Sequence, residues 1–512
     1  MAINTSEILI PKLLFGGNAE KDIELDADIP EKCPDILRLI RVECTPFDEG
    51  VNIEGEKAVV SGKAVFDLLY ETERKSRICF CSFTRDYQIP FSVRRGTEQN
   101  ITASAETYCS RIECRVLTPR KVSIRSLLGC DIAVEGETAV SAVNAEDGGG
   151  VFFRKTTVGF EGRAETKRET KNVSEPLPLI SGEKSIGDIV YGSVTLSPAQ
   201  VSVTGGRAEL RSTATVRTLC ESEEREGEYF PVVKTMPVAV DITDESLAEH
   251  KHTSFGMSIE NAEFRPELDQ YGESRVLRAQ FDIRTVYSVS EPKAYTVATD
   301  MFEEGFDITP KETSARVRRE TVSAEKSFTV EMPASPFEPM PTAVYEATAK
   351  PRKAVCEPAD GGVRIRGGFT VSLTAMTENG LYSQDSDLPF EQFLPLDTAG
   401  GDEFTARVTA ADVIPTLHAD GSVSARVVCS ASVAVYAEED IGFIGGIDSR
   451  TEAGAGKPAG VTFFYPARGE RLWDIAKRYR TDPERLLAAN RDCFDEQSLS
   501  ATGGLPVQVT RL

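Results

Sequence analysis

The sequence predicts a mainly β fold: three tandem antiparallel β-sandwich-like domains followed by a small βααβ module. Between residues 20 and 440, apolar and β-branched side chains alternate with polar ones at every second position. This is the pattern of strands with one buried face. Turn-forming pairs such as Gly205-Gly206 and Asn379-Gly380 separate the runs and indicate where strands reverse. A helical period is nearly absent before residue 461.

Three of the alternating runs can be laid over one another. They are Lys57–Glu71, Arg207–Glu221 and Gly362–Met376. Their alignment places Gly62 on Ser212 and on Gly367. Each run is followed by another amphipathic strand and then by a long strand pair. Three copies of a unit of about 110–150 residues fit the chain length, and a unit of this size can bury its own core.

The repeats predict the domain boundaries. Three β repeats are expected over residues 1–150, 151–300 and 301–440, and the helical module over residues 461–512. The segment between them, Ile441–Gly460, is Gly-rich and therefore predicts a flexible linker. Alternation alone leaves open the strand order and whether the repeats pack on one another.

Charge is distributed unevenly along the chain. It has 81 acidic and 58 basic residues, for a net charge of −23. The segment from Val461 onward contributes only 7 acidic residues and 8 basic ones, so the body before it is strongly acidic. Such a body argues against binding nucleic acid or inserting at an anionic membrane surface. A well-solvated surface is the simplest explanation of the charge.

The sequence predicts a cytoplasmic location. The N-terminal segment lacks a basic region, and its apolar run is interrupted by Pro11, Lys12 and Gly16, unlike a secretory signal. No stretch approaches the ~18 apolar residues of a membrane span. The eleven cysteines are odd in number and scattered, which is typical of reduced thiols and not of a disulfide framework.

The C-terminal segment has a different pattern. It contains Trp473, the only tryptophan of the chain. Apolar side chains recur at helical spacing from Leu472 to Tyr479, which predicts an amphipathic helix. Thr481 and Glu484 have the spacing of a capping box and predict the start of a second helix.

The phrase GERLWDIAKRYRTDPERLLAAN over Gly469–Asn490 closely resembles a LysM module. The family's pattern is a strand, then GDTLW-x-IA-x-x-Y, a Thr at the start of a second helix and a closing Leu-x-x-Asn. The matching residues are Gly469, Glu470, Arg471, Leu472, Trp473, Ile475, Ala476, Tyr479, Thr481, Leu486, Leu487 and Asn490. The resemblance implies that the loops after the first strand and after the second helix form a groove for N-acetylglucosamine chains.

Three arginines depart from the LysM pattern. Arg471 replaces a Thr, Arg480 replaces a Gly, and Arg491 stands where a Pro is usual. They flank the expected groove, which favours a protein surface, an acidic one included, over a sugar chain. The candidate partner- or glycan-binding residues are Gly469, Glu470, Arg471, Leu472, Trp473, Arg480, Asn490 and Arg491.

The acidic repeats resemble the spore-coat-assembly-associated (SPOCS-like) domain. A leading V-P-x-x-K-P-D-I phrase is matched by residues of Asp28–Ile36, and a following strand by Val60, Gly62 and Tyr70. Such repeats with one terminal LysM module resemble spore coat morphogenetic proteins of the SipL/SpoVID type. The resemblance implies a scaffold in the mother-cell cytoplasm, at the forespore surface and in the spore coat. It implies binding of the coat-basement ATPase (stage IV sporulation protein A-like) and other coat proteins.

Cysteine pairs in the first repeat raise the question of a metal site. Cys79 lies close to Cys81 in the sequence, and Cys109 lies close to Cys114. A zinc site with four cysteine ligands is conceivable. Alternating strand positions explain both pairs more simply, because free cysteine behaves as a small buried hydrophobe. We expect no metal and no cofactor.

The remaining chemistry-bearing residues form no catalytic pattern. His250, His252 and His418 have no further ligands at metal-site spacing. No nucleophile elbow, zinc-protease helix or phosphate-binding loop is present in the sequence. The sequence therefore predicts a non-enzymatic assembly scaffold whose LysM module binds a partner protein. The alternative is a protein that binds peptidoglycan or chitin oligomers.

Overall fold

A computed structural model provides the structure of the protein. It describes residues 4–73, 77–94, 96–144, 149–247, 252–398, 401, 403–452, 460–495, 498–503 and 505–511. Strands account for 77% of the structure and helices for 4%, in several antiparallel sheets. The prediction of a mainly β fold is confirmed.

The first strands form two three-stranded sheets that share a core. The strands are β1 (Thr5–Asp28), β2 (Ile36–Glu54), β3 (Lys57–Thr72), β4 (Ile78–Ser92), β5 (Gln99–Thr118) and β6 (Lys121–Val143). One sheet has the order β1-β6-β5 and the other β2-β3-β4. Alternate residues point into the core, among them Phe66 and Leu68 from one sheet and Ile124 and Leu128 from the other, as half-buried strands require.

The next strands repeat this arrangement. They are β7 (Val151–Glu161), β8 (Glu165–Pro178), β9 (Ile186–Leu196), β10 (Gln200–Thr204), β11 (Arg207–Ser222), β12 (Tyr229–Thr243), β13 (His252–Leu268) and β14 (Ser274–Ser290). A sheet of order β13-β14-β8 faces a sheet of order β10-β11-β12, in which β9 also pairs with β11. Leu210 and Val216 of one sheet share a core with Phe281 and Ile283 of the other.

The third group contains the longest strands. They are β15 (Pro292–Glu303), β16 (Phe306–Pro336), β17 (Pro341–Pro351), β18 (Val355–Ala359), β19 (Gly362–Thr377), β20 (Gly380–Pro395), β21 (Glu403–Leu417) and β22 (Ser422–Glu452). One sheet has the order β17-β19-β18, with β20 also on β19, and the other the order β21-β22-β16-β15-β7. Phe369 and Val371 share a core with Val427 and Val433.

A β-bulge recurs at the same place in all three groups. In each group one residue follows the bulge and pairs with a residue of the neighbouring strand. The pairs are Arg41 with Leu69, Tyr191 with Leu219, and Glu346 with Thr374. The bulged residues themselves, Ile40, Val190 and Tyr345, belong to one apolar cluster. A bulge bends its strand and re-aims the side chains beside it. These three sheets therefore meet at one place.

The opposite sheets also meet. Three antiparallel ribbons meet beyond these sheets. They are β1 with β6, β16 with β22, and β7 with β15, whose strands are next along the chain to β8 and β14. Their cross-strand pairs are Ile8 with Val140, Val158 with Tyr295, and Ala315 with Ile441. All six side chains join a single apolar cluster. The three groups are thus packed on one another at two clusters, a point that the alternation pattern left open.

The expected linker is largely strand. Residues 441–452 continue β22, paired with β16, and Phe443 and Ile444 are buried. The prediction of a flexible linker over Ile441–Gly460 needs correction here, because β16 satisfies the backbone of this Gly-rich stretch. Residues 453–459 lie outside the described residues.

The C-terminal residues form a small strand–helix–helix–strand unit. Its elements are β23 (Gly460–Phe464), α1 (Leu472–Tyr479), α2 (Pro483–Ala489), a 3₁₀ turn (Arg491–Cys493) and β24 (Val507–Arg511), with β23 and β24 antiparallel. The predicted cap at Thr481 is corrected to Asp482, whose carboxylate accepts hydrogen bonds from the backbone of Glu484 and Arg485. Within the described chain, neither helix is long and apolar enough to cross a bilayer.

Candidate functional site: the face of α1 and its docking surface

Helix α1 has two faces with different partners. Leu472, Ile475 and Ala476 are buried in the core of the C-terminal unit. Trp473 and Lys477 lie at i and i+4, on one side of the helix, and Arg480 follows as the C-cap of α1; together they form a separate stripe. This stripe lies against the body of the protein, at the end of β15.

Asp300 of β15 is the centre of the contact. The indole Nε1 of Trp473 donates a hydrogen bond to Asp300 Oδ2 at 2.8 Å. The Nζ of Lys477 lies 2.5 Å from Asp300 Oδ1. One carboxylate thus accepts from both side chains, and hydrogen bonds to an ionised acceptor are stronger than neutral ones. Arg480 forms an ion pair with Asp307 of β16.

An aromatic contact completes this docking surface. The ring centroids of Phe302 and Trp473 are 5.1 Å apart in an edge-to-face arrangement. Phe302 also packs on Phe152 of β7, at 5.1 Å. Phe302 is only 5% exposed and belongs to the core cluster of the C-terminal unit. A side chain of the body therefore fills part of the unit's own core.

Arg480 has an unusual backbone conformation. It is the C-cap of α1, with φ 50° and ψ 51°, the left-handed region that favours glycine. Placing a larger residue there costs of order 1 kcal/mol. The ion pair with Asp307 gives Arg480 a contact that glycine could not make. Strain of this kind commonly occurs at functional positions.

Several other predicted site residues have structural roles. Leu472 is buried. Asn490 is also buried, and its Nδ2 donates to the backbone oxygens of Leu486 and Gln508 at 2.8 and 2.7 Å. Glu470 pairs with Arg478 at 2.5 Å. These contacts hold the ends of the helices within the unit and do not present a binding group to solvent.

The two loops expected to form a sugar groove are hydrogen-bonded to each other. The backbone N–H of Gly469 donates to Ala501 at 2.9 Å, and that of Ala501 donates to Glu470 at 2.8 Å. The N–H of Leu472 donates to Leu499 at 2.9 Å, and Arg471 forms a β-bridge with Ser500. Backbone groups that could face a ligand between the loops are thus partnered within the protein.

The remaining arginines and an aromatic edge face solvent. Arg471 and Arg491 are exposed, and of the three predicted arginines Arg480 is the one that forms an ion pair with a described residue of the body. Val461 and Phe463 on β23 and Tyr465 just after it are 53, 64 and 69% exposed. Their spacing of two residues could have predicted this exposed edge from the sequence. No local pattern could have identified Asp300, Phe302 and Asp307 as the contacts of Trp473 and Arg480.

The cysteines do not form a metal site. Among the described residues, no three or more His, Cys, Asp or Glu side chains are grouped to hold a metal ion. One thiol pair is notable: hydrogen bonding with Cys44 lowers the pKa of Cys109 to about 6, and Ser126 adds to the effect. The same contact, together with burial, raises the pKa of Cys44.

The histidines in the described chain have ordinary partners. His252 Nδ1 lies 2.8 Å from a carboxylate oxygen of Glu161, and His418 Nε2 lies 2.8 Å from the hydroxyl of Ser424. His250 lies outside the described residues.

Comparison with known proteins found no matching family model, no matching curated protein and no matching solved structure.

Proposed function

We propose that this protein is a non-enzymatic assembly scaffold in which three β repeats support a LysM-like module that binds a partner protein. One observation carries the proposal: the stripe of Trp473, Lys477 and Arg480 contacts an acidic, aromatic protein surface. Tryptophan and arginine are the residue types that most often dominate protein interfaces. The stripe has the chemistry of a protein-binding face.

The recurrence of one structural unit supports the three-repeat architecture. A β-bulge occurs at the equivalent position in β2, β9 and β17. A buried ion pair joins the first and last of these strands, with Arg41 Nη1 2.7 Å from Glu346 Oε2. Repeats that pack on one another in this way suit a spacer between assembly partners.

The resemblance to spore coat morphogenetic proteins supplies the setting of the proposal. In that setting the chain acts in the mother-cell cytoplasm, at the forespore surface. It recruits or tethers the coat-basement ATPase through residues 460–512, while the acidic repeats provide docking surface for other coat proteins.

The alternative function is binding of peptidoglycan or chitin oligomers. The exposed rings of Phe463 and Tyr465 favour it, because aromatic faces offer a flat apolar contact with a polar rim. The hydrogen bonds that join Gly469 and Leu472 to the opposite loop speak against it, because these backbone donors are already used within the module.

A pull-down from sporulating cells tests the proposal. The full chain should co-purify with the coat-basement ATPase, and a chain ending at residue 459 should lose it. Circular dichroism should show that the shortened chain keeps its strands. A shortened chain that still co-purifies with the ATPase refutes the proposal. Saturable quenching of Trp473 fluorescence by chitin oligomers at micromolar concentration would favour the alternative.

A further inference from the structure

We infer that the stripe of Trp473, Lys477 and Arg480 is a receptor for an acidic–aromatic β-hairpin, and that residues 300–307 are its intramolecular ligand. A partner would then bind through a segment of the same chemistry, in competition with this hairpin. The inference rests on the proposed function and specifies the kind of surface that the module recognises.

The ligand is a tight hairpin with a defined presentation. β15 ends at Glu303 and β16 begins at Phe306, and these two residues pair across the turn. Gly305 has φ 76°, which a turn this tight requires and glycine permits. Asp300 and Phe302 are two residues apart, so they project from the same side of β15.

The body of the protein holds the shape of this hairpin. Both carboxylate oxygens of Glu303 accept from Arg450, at 2.7 and 2.6 Å. A bulge between Ala298 and Asp300 displaces the register of β15 just before the contact. Bulges re-aim side chains. Asp300 and Phe302 are therefore presented together, as a preformed pair.

The receptor stripe matches this pair in chemistry. Its indole donor and ammonium group converge on one carboxylate, Asp300, and its guanidinium lies on Asp307. Arg480 has a left-handed backbone, a conformation in which glycine would be less strained. An arginine therefore occupies a position that the local backbone would favour for glycine. The ligand class is therefore an aspartate, an aromatic residue two positions later, and a second carboxylate across a turn.

The ion pairs of this contact are open to solvent. The side chains of Lys477 and Arg480 are 43 and 39% exposed, and that of Asp307 is 58% exposed. Ion pairs this exposed contribute little individually, so the contact is held mainly by the charge-assisted hydrogen bonds at Asp300 and by the packing of Phe302 on Trp473. A tethered ligand acts at an effective concentration of about millimolar. A partner with the same groups and further contacts can displace it.

The test measures binding of a synthetic peptide to the full chain. The peptide has the sequence VATDMFEEGFDIT, residues 297–309, and its control carries Asp300→Asn, Phe302→Ala and Asp307→Asn. Trp473 fluorescence reports binding, because it is the only tryptophan. The chain variant D300N/D307N weakens the intramolecular ligand, because it removes both of its carboxylates. We expect it to bind the peptide at least ten-fold more tightly than the unaltered chain does, because the competent state is more populated.

Changes in the receptor stripe complete the test. Adding K477E/R480E to the D300N/D307N chain should weaken peptide binding at least ten-fold. The control peptide should bind the D300N/D307N chain no more tightly than the original peptide binds this quadruple variant. Arg480→Gly relieves the left-handed backbone while removing the cation, so it should weaken binding without lowering the unfolding midpoint of the module. If D300N/D307N fails to fold, D300N alone serves, because Asp300 accepts from both Trp473 and Lys477.

The outcomes separate this inference from the proposed function. Two results overturn the inference. One is that the D300N/D307N chain binds the peptide and the control peptide with equal affinity. The other is that the D300N/D307N chain and the unaltered chain bind the peptide with equal affinity. If the ATPase is still recruited through residues 460–512 in either case, the proposed function stands. Tight, sequence-dependent peptide binding without recruitment of the ATPase overturns the proposed function and leaves the inference intact.

Discussion

Replacing Arg41 with methionine removes a buried cation at the meeting point of three sheets. Arg41 is 8% exposed. Its Nη1 lies 2.7 Å from Glu346 Oε2 and 3.2 Å from the hydroxyl of Thr374, and its guanidinium lies over the ring of Tyr191, 4.8 Å from the centroid. Methionine is of similar length but cannot donate to any of these groups.

The expected loss follows from the burial of both charges. Burial by itself disfavours the charge of Arg41, but Glu346, Tyr191 and Glu43 outweigh it and raise its pKa, so the cation persists at any working pH. The Glu346 side chain is 10% exposed, and without Arg41 it keeps only a hydrogen bond from Ser193 at 3.0 Å among these contacts. Removing one partner of a buried ion pair costs about 3–5 kcal/mol. We expect Arg41→Met to lower the free energy of unfolding by this amount.

The double variant Arg41→Met/Glu346→Met distinguishes a broken pair from a damaged core. Replacing a buried ion pair by apolar side chains is often neutral, so we expect the double variant to lie within about 1 kcal/mol of the unaltered protein. The coupling energy between the two positions should then be at least about 2 kcal/mol. Arg316→Met is the matched control. Arg316 also pairs across strands, with Asp440, but its side chain is 64% exposed, so its replacement should change the free energy of unfolding far less than that of Arg41.

Urea unfolding followed by far-ultraviolet circular dichroism measures these changes, because the strands of the body dominate that signal. A loss below about 1 kcal/mol for Arg41→Met would refute the reasoning. Strictly additive effects of Arg41→Met and Glu346→Met would also refute it, since they would mean that the two side chains do not stabilise each other across the sheets.

Three further predictions concern local electrostatics. Hydrogen bonding from Lys167, partly offset by burial, lowers the pKa of Asp244. The stability difference between the unaltered protein and Asp244→Asn should therefore be complete above about pH 4 and shrink below it. An equal difference in melting temperature at pH 7 and pH 2.5 would contradict this. At pH 7, iodoacetamide should alkylate Cys109 before Cys79 or Cys114, because only the thiolate is nucleophilic and burial raises the pKa values of Cys79 and Cys114. Peptide mass spectrometry of a time course gives the order of labelling. Earlier labelling of Cys79 or Cys114 would contradict the prediction. Asp482→Ala removes the cap of α2 and should destabilise the C-terminal unit by about 1 kcal/mol; urea unfolding followed by Trp473 fluorescence measures this, and an unchanged midpoint would contradict it.

The strands could be predicted from the sequence because their signal is local. Alternation of apolar and polar residues reports one buried face whatever that face packs against, so Lys57–Glu71, Arg207–Glu221 and Gly362–Met376 predicted β3, β11 and β19. The same applies to α1, whose apolar residues recur at helical spacing. The prediction was wrong where a neighbour decided the conformation: residues 441–452 look like a linker by composition and become strand because β16 pairs with them.

Only the tertiary structure decided which residues meet. Trp473 and Asp300 are 173 residues apart in the chain, and Arg41 and Glu346 are 305 residues apart. Local periodicity carries no information at such separations, because a contact of this kind depends on how whole sheets pack. The sequence therefore determined that α1 carries a tryptophan and arginines. The packing of three β units determined that these side chains contact an acidic hairpin of the same chain.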